Sequence, residues 1–213
     1  MVRLLVLVLG LTAGAAGAGP WPLPKGEGHL SFSAEVKSHD ASEGYATAYA
    51  EYGLGNARTL GFDFGQGEDE TDKAVLFLRW PLGAPGKNTV YAYELGLGVA
   101  HGKNALRPAF SIGQGVDLGG RAGWIALDSR AVLFEGGDGI LEADLTVGAE
   151  TGSGDKWLVQ VQMAAPSDRG AYVKLAPSYA FRAGKGRHLL VGATAGVVGM
   201  DSVKFTLGLW QAF

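Results

Sequence analysis

His29 and Ser31 are the first residues in the chain whose types could support catalysis. A serine nucleophile needs a histidine base within hydrogen-bond reach, and a third group that orients the base. His29 and Ser31 lie two residues apart in an alternating stretch. On a strand this spacing is about 7 Å, from a rise of ~3.3 Å per residue, which is too far for direct activation. We therefore predict no catalytic residue, and no enzyme activity.

A run of carboxylates is the second candidate for chemistry. Glu68, Asp69, Glu70 and Asp72 lie within five positions. Clustered carboxylates suit hard cations, here one bridging the phosphates of lipopolysaccharide, but their order lacks the EF-hand pattern. The chain has no Cys, which excludes a disulfide framework and a thiolate zinc site. We interpret the run as a solvated loop, and predict no metal and no cofactor.

The composition excludes several classes of protein. Of the 213 residues, 35 are Gly. Because Gly inside a helix costs roughly 1 kcal/mol relative to Ala, this content argues against a mostly helical protein. Only one long apolar run is present, at the N-terminus, which argues against a polytopic helical membrane protein. The formal net charge of −3 argues against a nucleic-acid partner.

The N-terminus has the pattern of an export signal. Arg3 is followed by an apolar stretch from Leu4 to Leu11, and Ala16-Gly17-Ala18 forms a small-x-small cleavage site. We predict a signal peptide over residues 1–18, cleaved near Ala18; the alternative is a membrane anchor. The three prolines that follow favour an extended periplasmic leader over residues 19–26.

After the leader, the chain alternates large apolar residues with small or polar ones, and turn residues separate the alternating segments. This period of two predicts strands with two unlike faces. The segments are 27–37, 45–54, 58–65, 73–80, 89–99, 108–118, 122–134, 140–150, 156–164, 171–181, 188–198 and 203–213. Their number and length match transmembrane strands of ~9–11 residues. We predict twelve strands, or ten if 122–134 and 171–181 are miscounted.

The polar faces indicate which side of the sheet meets solvent. They carry mainly Gly, Ser and Thr with one or two charges per strand, whereas a soluble surface would carry more Lys and Glu. Aromatic residues at segment ends suit the interfacial girdles of a membrane barrel. In a membrane the sheet must close into a barrel, because an open edge in lipid would leave backbone N–H and C=O groups without hydrogen-bond partners. We therefore predict an all-β fold: a closed antiparallel transmembrane β-barrel over residues 27–213, with short loops on both sides and both termini in the periplasm. The alternative is a soluble sandwich or lipocalin-like barrel.

The alternation of inward-facing and outward-facing positions places charged side chains of both signs in the lumen. There they either line a narrow polar pore or fill the barrel as ion pairs. Twelve strands lie between the filled barrels of eight strands and the water-filled barrels of 16 or more. The predicted lumen-lining residues are Glu35, Lys37, Glu51, Asp63, Lys73, Arg79, Glu94, Asp117, Asp128, Arg130, Glu142, Asp144, Lys156, Lys174 and Lys204.

The last strand resembles the terminal signal read by the outer-membrane barrel assembly machinery, which we expect as a partner during biogenesis. It alternates and ends on an aromatic residue, and Gln211 departs from the usual hydrophobic position. The residues of this predicted signal are Phe205, Leu207, Leu209 and Phe213.

Two stretches resemble the opening of short-loop bacterial outer-membrane transporters, including the phenol-degradation MetA-pathway group. They are WPLPKGEG from Trp21 and AEYGLGNARTLG from Ala50. The resemblance covers the first third of the chain and, in addition, the terminal strand. It implies a barrel in the outer membrane of a Gram-negative bacterium, in contact with lipid and lipopolysaccharide, and a role in solute passage.

The sequence thus predicts a narrow passive channel for small solutes. The alternatives are a non-conducting structural or envelope-interaction barrel and a lipid-modifying enzyme. Neither the solute nor the oligomeric state follows from the sequence.

Overall fold

The computed structural model describes residues 19–38, 44–67, 71–83 and 88–213 as an antiparallel β-structure. The predicted signal peptide and the acidic residues at 68–70 lie outside the described residues. The described residues contain no helix long and apolar enough to cross a membrane. The strands are β1 (Gly28–Lys37), β2 (Gly44–Gly55), β3 (Arg58–Gln66), β4 (Thr71–Leu82), β5 (Thr89–Ala100), β6 (Lys103–Asp117), β7 (Ala122–Phe134), β8 (Gly139–Glu150), β9 (Lys156–Pro166), β10 (Tyr172–Arg182), β11 (Arg187–Val198) and β12 (Val203–Ala212).

Each strand pairs with its two neighbours in sequence, and β1 pairs with β12, so the sheet closes on itself. At the closure Phe32 lies opposite Leu209, and the backbone N–H of Gly28 donates to the carbonyl of Phe213 at 2.8 Å. The predicted closed barrel of twelve strands is confirmed. The ten-strand alternative is wrong, because 122–134 and 171–181 both contain paired strands.

The apolar face of this sheet is the outer one. Leu97 and Leu207 are 63% and 66% exposed, whereas the inward-facing Val75 and Phe77 are 1% exposed. A band of exposed Leu, Val and Phe around the whole barrel could not face water without aggregating. It is the lipid-facing surface of a transmembrane barrel, and the soluble alternative is wrong.

The connections are short at both ends. Asn56–Ala57 and His101–Gly102 form two-residue turns with positive φ at both positions, the geometry of tight type I′ hairpins. We call the end at which β1 begins and β12 ends the terminal end, and the other the far end.

The second of these turns corrects the sequence analysis. Residues 100–107 were predicted as an outer loop, but β6 begins at Lys103. Pro108 concealed this start, since proline cannot donate to a ladder. The strand tolerates it because the pairing of β6 with β7 passes from Leu106 to Ala109 without Arg107 and Pro108.

Candidate functional site

The candidate site is the barrel lumen, and its middle layer is a chain of ion pairs. Arg79 on β4 donates to Glu51 on β2 and, at 2.9 Å, to Glu94 on β5. Arg107 on β6 donates to the same Glu94 at 3.0 Å and to Asp63 on β3 at 2.6 Å. We call these residues, together with Lys73, the ion ladder.

Lys73 completes the ion ladder with a 2.9 Å bond to Asp63. The ladder therefore contains three acidic and three basic side chains, and its formal charges cancel. Glu51, Arg79, Glu94 and Arg107 are all buried. Each arginine contacts two carboxylates, which is the arrangement that offsets the cost of removing charges from water.

Arg107 is the residue of the ion ladder that the sequence analysis missed. It was placed in a loop, yet it lies on β6, 4% exposed, between Asp63 and Glu94. The alternation of β6 continued backward from Ala109 would have placed it in the lumen.

Aromatic side chains fill the space around the ion ladder. The Phe77 ring lies with its centroid 5.3 Å from the guanidinium carbons of both Arg79 and Arg107. The Tyr49 ring stacks on Phe77 at 5.8 Å, and its hydroxyl donates to Glu51 at 2.5 Å. The middle of the lumen is therefore packed and contains no wide bore.

The leader fills the lumen on the terminal side of the ladder. The carbonyl of Gly19 accepts a 2.9 Å hydrogen bond from Arg79, and Pro20 is fully buried. A Cβ on Gly113 of β6 would lie 2.5 Å from the Trp21 ring. The start of the segment predicted as an extended periplasmic leader thus lies inside the barrel, whereas residues 24–26 are exposed.

The lumen on the far side of the ladder is open space. A cavity of about 480 Å³ extends from the ion ladder to the turns at the far end. We call it the vestibule. Its wall includes six basic and four acidic side chains: Lys73, Arg107, Arg130, Arg169, Lys174, Lys204, Glu35, Asp72, Glu142 and Asp144.

In the vestibule, a larger share of the acidic side chains than of the basic side chains forms ion pairs. Arg130 donates to Glu142 at 2.5 Å and to Asp144 at 2.7 Å. Lys204 lies 3.6 Å from Glu35. The Lys174 ammonium lies over the Tyr172 ring at 4.9 Å, and among the described residues no carboxylate forms an ion pair with it. Lys174 is therefore a base on this wall that no described carboxylate pairs with.

Four predicted lumen residues lie outside the ladder and the vestibule wall. Asp117 caps the turn after β6, accepting from the N–H of Gly120 at 2.7 Å. Lys156 pairs with Glu150 at 2.7 Å near the terminal end. Lys37 ends β1, and Asp128 lies half-buried on the inward face of β7. The other eleven predicted residues lie in the ion ladder or on the vestibule wall.

The described residues among those considered for catalysis and metal binding form no site. His29 is buried, its Nε2 atom has no hydrogen-bond partner among the described residues, and its ring lies 6.4 Å from that of Trp210. No hydrogen bond among the described residues joins His29 to Ser31. Asp72, the described member of the acidic run, lies 4.0 Å from His101. Within the described part of the chain, no group of three or more such side chains could hold a metal ion.

The residues of the predicted assembly signal lie on β12 and just beyond it. Phe205, Leu207 and Phe213 are more than half exposed on the outer surface. Gln211 on the same strand also points outward and bonds Arg187 of β11. Recognition by an assembly machinery stays a prediction.

These features define a porin-like transmembrane β-barrel of twelve strands. No protein-family model matches the chain, and no curated protein sequence matches it significantly. Among solved structures, the KdgM porin superposes with a TM-score of 0.64 at 10% identity, over 87% of this chain and 99% of that one.

Two further structures show the same fold. An outer membrane channel from Pseudomonas putida F1 superposes with a TM-score of 0.61 at 10% identity, over 91% of this chain and 98% of that chain. The NanC porin gives 0.63 at 8% identity, over 84% and 98%. The expected likeness to outer-membrane transporters is therefore confirmed for the fold.

Proposed function

We propose that this protein is an outer-membrane channel that passes small solutes and prefers anions. The observation that carries the proposal is the vestibule, an open polar cavity inside a closed barrel whose outer surface suits lipid. A barrel that served only as a structural element would need no such space. The fold shared with two porins and a channel supports the same function.

The anion preference rests on two basic residues of the vestibule wall. Apart from Lys73 and Arg107, whose charges the ion ladder balances, the wall carries four basic and four acidic side chains. Basic side chains that line a pore select anions because they lower the electrostatic energy of an anion there. Lys174 and Arg169 form no ion pair with a carboxylate among the described residues, and they are therefore the expected contacts of an anion.

The location in the outer membrane belongs to the same proposal. The barrel needs lipid around its apolar band, and export across the inner membrane needs a signal such as the one predicted at residues 1–18. Both termini lie at one end of the barrel, which we place in the periplasm, so that the vestibule opens to the outside of the cell.

One observation favours the second candidate, a non-conducting barrel. The ion ladder and the leader together fill the lumen between the vestibule and the terminal end. A barrel in which neither element moves would bind a solute in the vestibule without passing it.

Ion current in planar bilayers tests the channel function. Folded protein under a salt gradient is expected to carry current, with a reversal potential on the anion-selective side. Lys174→Gln combined with Arg169→Gln is expected to move the potential toward the cation-selective side, because the wall loses two basic side chains that no described carboxylate pairs with. Lys103→Gln with Lys185→Gln, on exposed residues outside the vestibule, is the matched control and should leave the potential unchanged.

A cation-selective current from the wild type would overturn the anion preference. No current from folded protein, with the leader intact or shortened, would overturn the channel.

A further inference from the structure

The outward-facing tyrosines and tryptophans of the described residues all lie near the terminal end of their strands. Trp80 of β4 stacks on Tyr93 of β5 with 4.8 Å between the ring centroids. Tyr45 and Tyr172, which lie nearer the far end, point into the vestibule instead. Because Trp and Tyr collect where a membrane meets water, the terminal end lies in a layer of lipid headgroups. We call the outward-facing residues the aromatic belt; they are Tyr52, Trp80, Tyr91, Tyr93, Trp157 and Tyr179.

The exposed charges of the described residues also differ between the two ends. The turns and strand ends at the terminal end carry six exposed basic side chains but only two exposed acidic ones, Glu27 and Asp117. At the far end the balance is reversed, with two exposed bases and four exposed acids. The terminal end is therefore basic and the far end acidic. The exposed bases at the terminal end are Lys25, Arg58, Arg121, Arg182, Lys185 and Arg187; the far end has Lys103, Arg169, Glu135, Asp138, Asp168 and Asp201.

Five of the six bases lie together where the barrel closes. They belong to the turn between β10 and β11 and to the turn between β2 and β3, and only β12 and β1 lie between these two hairpins. Lys25 joins the second turn, since a Cβ on Gly55 would be 3.3 Å from its Cδ. None of the five forms an ion pair with a carboxylate among the described residues. We call them the basic arc, which consists of Lys25, Arg58, Arg182, Lys185 and Arg187.

Two arginines of the basic arc lie at the border of the lipid-facing surface. Arg58 shares the outward face of β3 with Leu60, and Arg187 shares the outward face of β11 with Leu189. Leu60 and Leu189 are 37% and 51% exposed and belong to the apolar band. Arg187 donates through Nε to Gln211 at 3.0 Å, which leaves its two Nη groups for another acceptor. A guanidinium group binds a phosphate with two parallel hydrogen bonds.

We propose that the terminal end binds anionic phospholipid, with the headgroup phosphate on the basic arc and the acyl chains on the apolar band. Anionic lipid attracts Lys and Arg that lie close to the membrane surface. It accounts for both asymmetries, because an acidic protein partner would pair with the bases but would not require an aromatic belt beside them. No residue of the basic arc lines the vestibule, so the proposal does not depend on whether the lumen conducts.

Lipid titration followed by native mass spectrometry tests this site. Folded protein in detergent receives phosphatidylglycerol or phosphatidylcholine with identical acyl chains. We expect the wild type to bind phosphatidylglycerol at least about five-fold more tightly, which is the effect of a single basic residue at an anionic surface. Arg58→Gln combined with Arg187→Gln should remove most of this preference and leave the affinity for phosphatidylcholine unchanged. Lys37→Gln with Lys103→Gln removes two bases at the far end, is the matched control and should retain the preference.

A second pair of substitutions on the basic arc keeps the test decisive if the arginine pair fails to fold. Lys25→Gln with Lys185→Gln changes two exposed residues outside the strands and is also expected to weaken the preference. Equal affinity of the wild type for both lipids would overturn the proposal, and so would a preference that survives both pairs of substitutions. An equal loss in the far-end control would assign the effect to net charge alone. Tighter binding of polyglutamate than of phosphatidylglycerol to the wild type would indicate an acidic protein partner instead of lipid.

Discussion

Single charged residues determine how much of the lumen is filled by packed side chains. Arg107 and Arg79 are each almost fully buried and each bridges two carboxylates. Removing one partner of such a group strands the others in a medium that solvates them poorly. Arg130 also bridges two carboxylates, but its side chain is 27% exposed in the vestibule, where water screens the loss.

This contrast gives a prediction on stability. Arg107→Met is expected to lower the free energy of unfolding by roughly 3–5 kcal/mol, because Asp63 and Glu94 lose a buried partner. Arg130→Met is expected to cost about 1 kcal/mol or less, as for exposed pairs. Urea unfolding of the folded proteins in detergent measures both. Equal losses would show that the ion ladder is not energetically distinct from the vestibule pairs.

For single residues, the sequence predicts which charged side chains face the lumen, but not which residue of opposite charge each of them pairs with. Strand parity alone directs Glu51, Asp63 and Glu94 inward. Which base each carboxylate meets depends on the stagger between strands, since Arg79 on β4 reaches Glu51 on β2 across the width of β3. That stagger is a property of the closed barrel and has no local signal in the sequence.

At the scale of the strands, inward glycines and aromatic side chains form pairs on neighbouring strands. Gly61 lies opposite Phe77, and Gly148 lies opposite Trp124. A Cβ on Gly61 would be 2.0 Å from the Phe77 ring, and one on Gly148 would be 2.3 Å from the Trp124 ring. The high glycine content therefore makes room for aromatic rings that lie flat across the adjacent strand.

A double-mutant cycle tests one of these pairs. Gly61→Ala is expected to lower stability by about 1–3 kcal/mol, because the methyl group overpacks against the fully buried Phe77. Phe77→Leu should relieve much of that cost in the double variant, so the two effects should be strongly non-additive. Gly115→Ala serves as the control, with a near-neutral effect. Additive effects of Gly61→Ala and Phe77→Leu in urea unfolding would contradict the packing.

The strands themselves could be predicted almost completely. A period of two with turn residues at regular spacing leaves little choice of structure, and even the irregular β7 and the proline-containing β10 form at the predicted places. The start of β6 could not be predicted, because Pro108 argues against a strand locally and only the interrupted pairing with β7 makes it acceptable. The path of the leader was missed for a similar reason, since its contacts with Gly113 and Arg79 are all distant in sequence.

At the scale of the whole molecule, the lumen is neither an open pore nor a filled barrel. It is open from the far end to the ion ladder and filled from there to the terminal end. The charges are arranged accordingly: the buried ladder is neutral, and Lys174 and Arg169, which no described carboxylate pairs with, lie on the open wall. A solute would thus enter a vestibule that offers two such basic side chains, and its passage would depend on the layer below.

Solute release from proteoliposomes tests this account most directly. Protein whose folded state is confirmed by a faster gel mobility before boiling is reconstituted, with the wild type and the variant lacking residues 20–24 compared side by side. We expect small anions to be released faster than cations of equal size, and solutes larger than the vestibule of about 480 Å³ to be retained. Release should be faster from the variant lacking residues 20–24, because Pro20 and Trp21 occupy the terminal side of the lumen. Retention of every small solute by both folded proteins would contradict a channel.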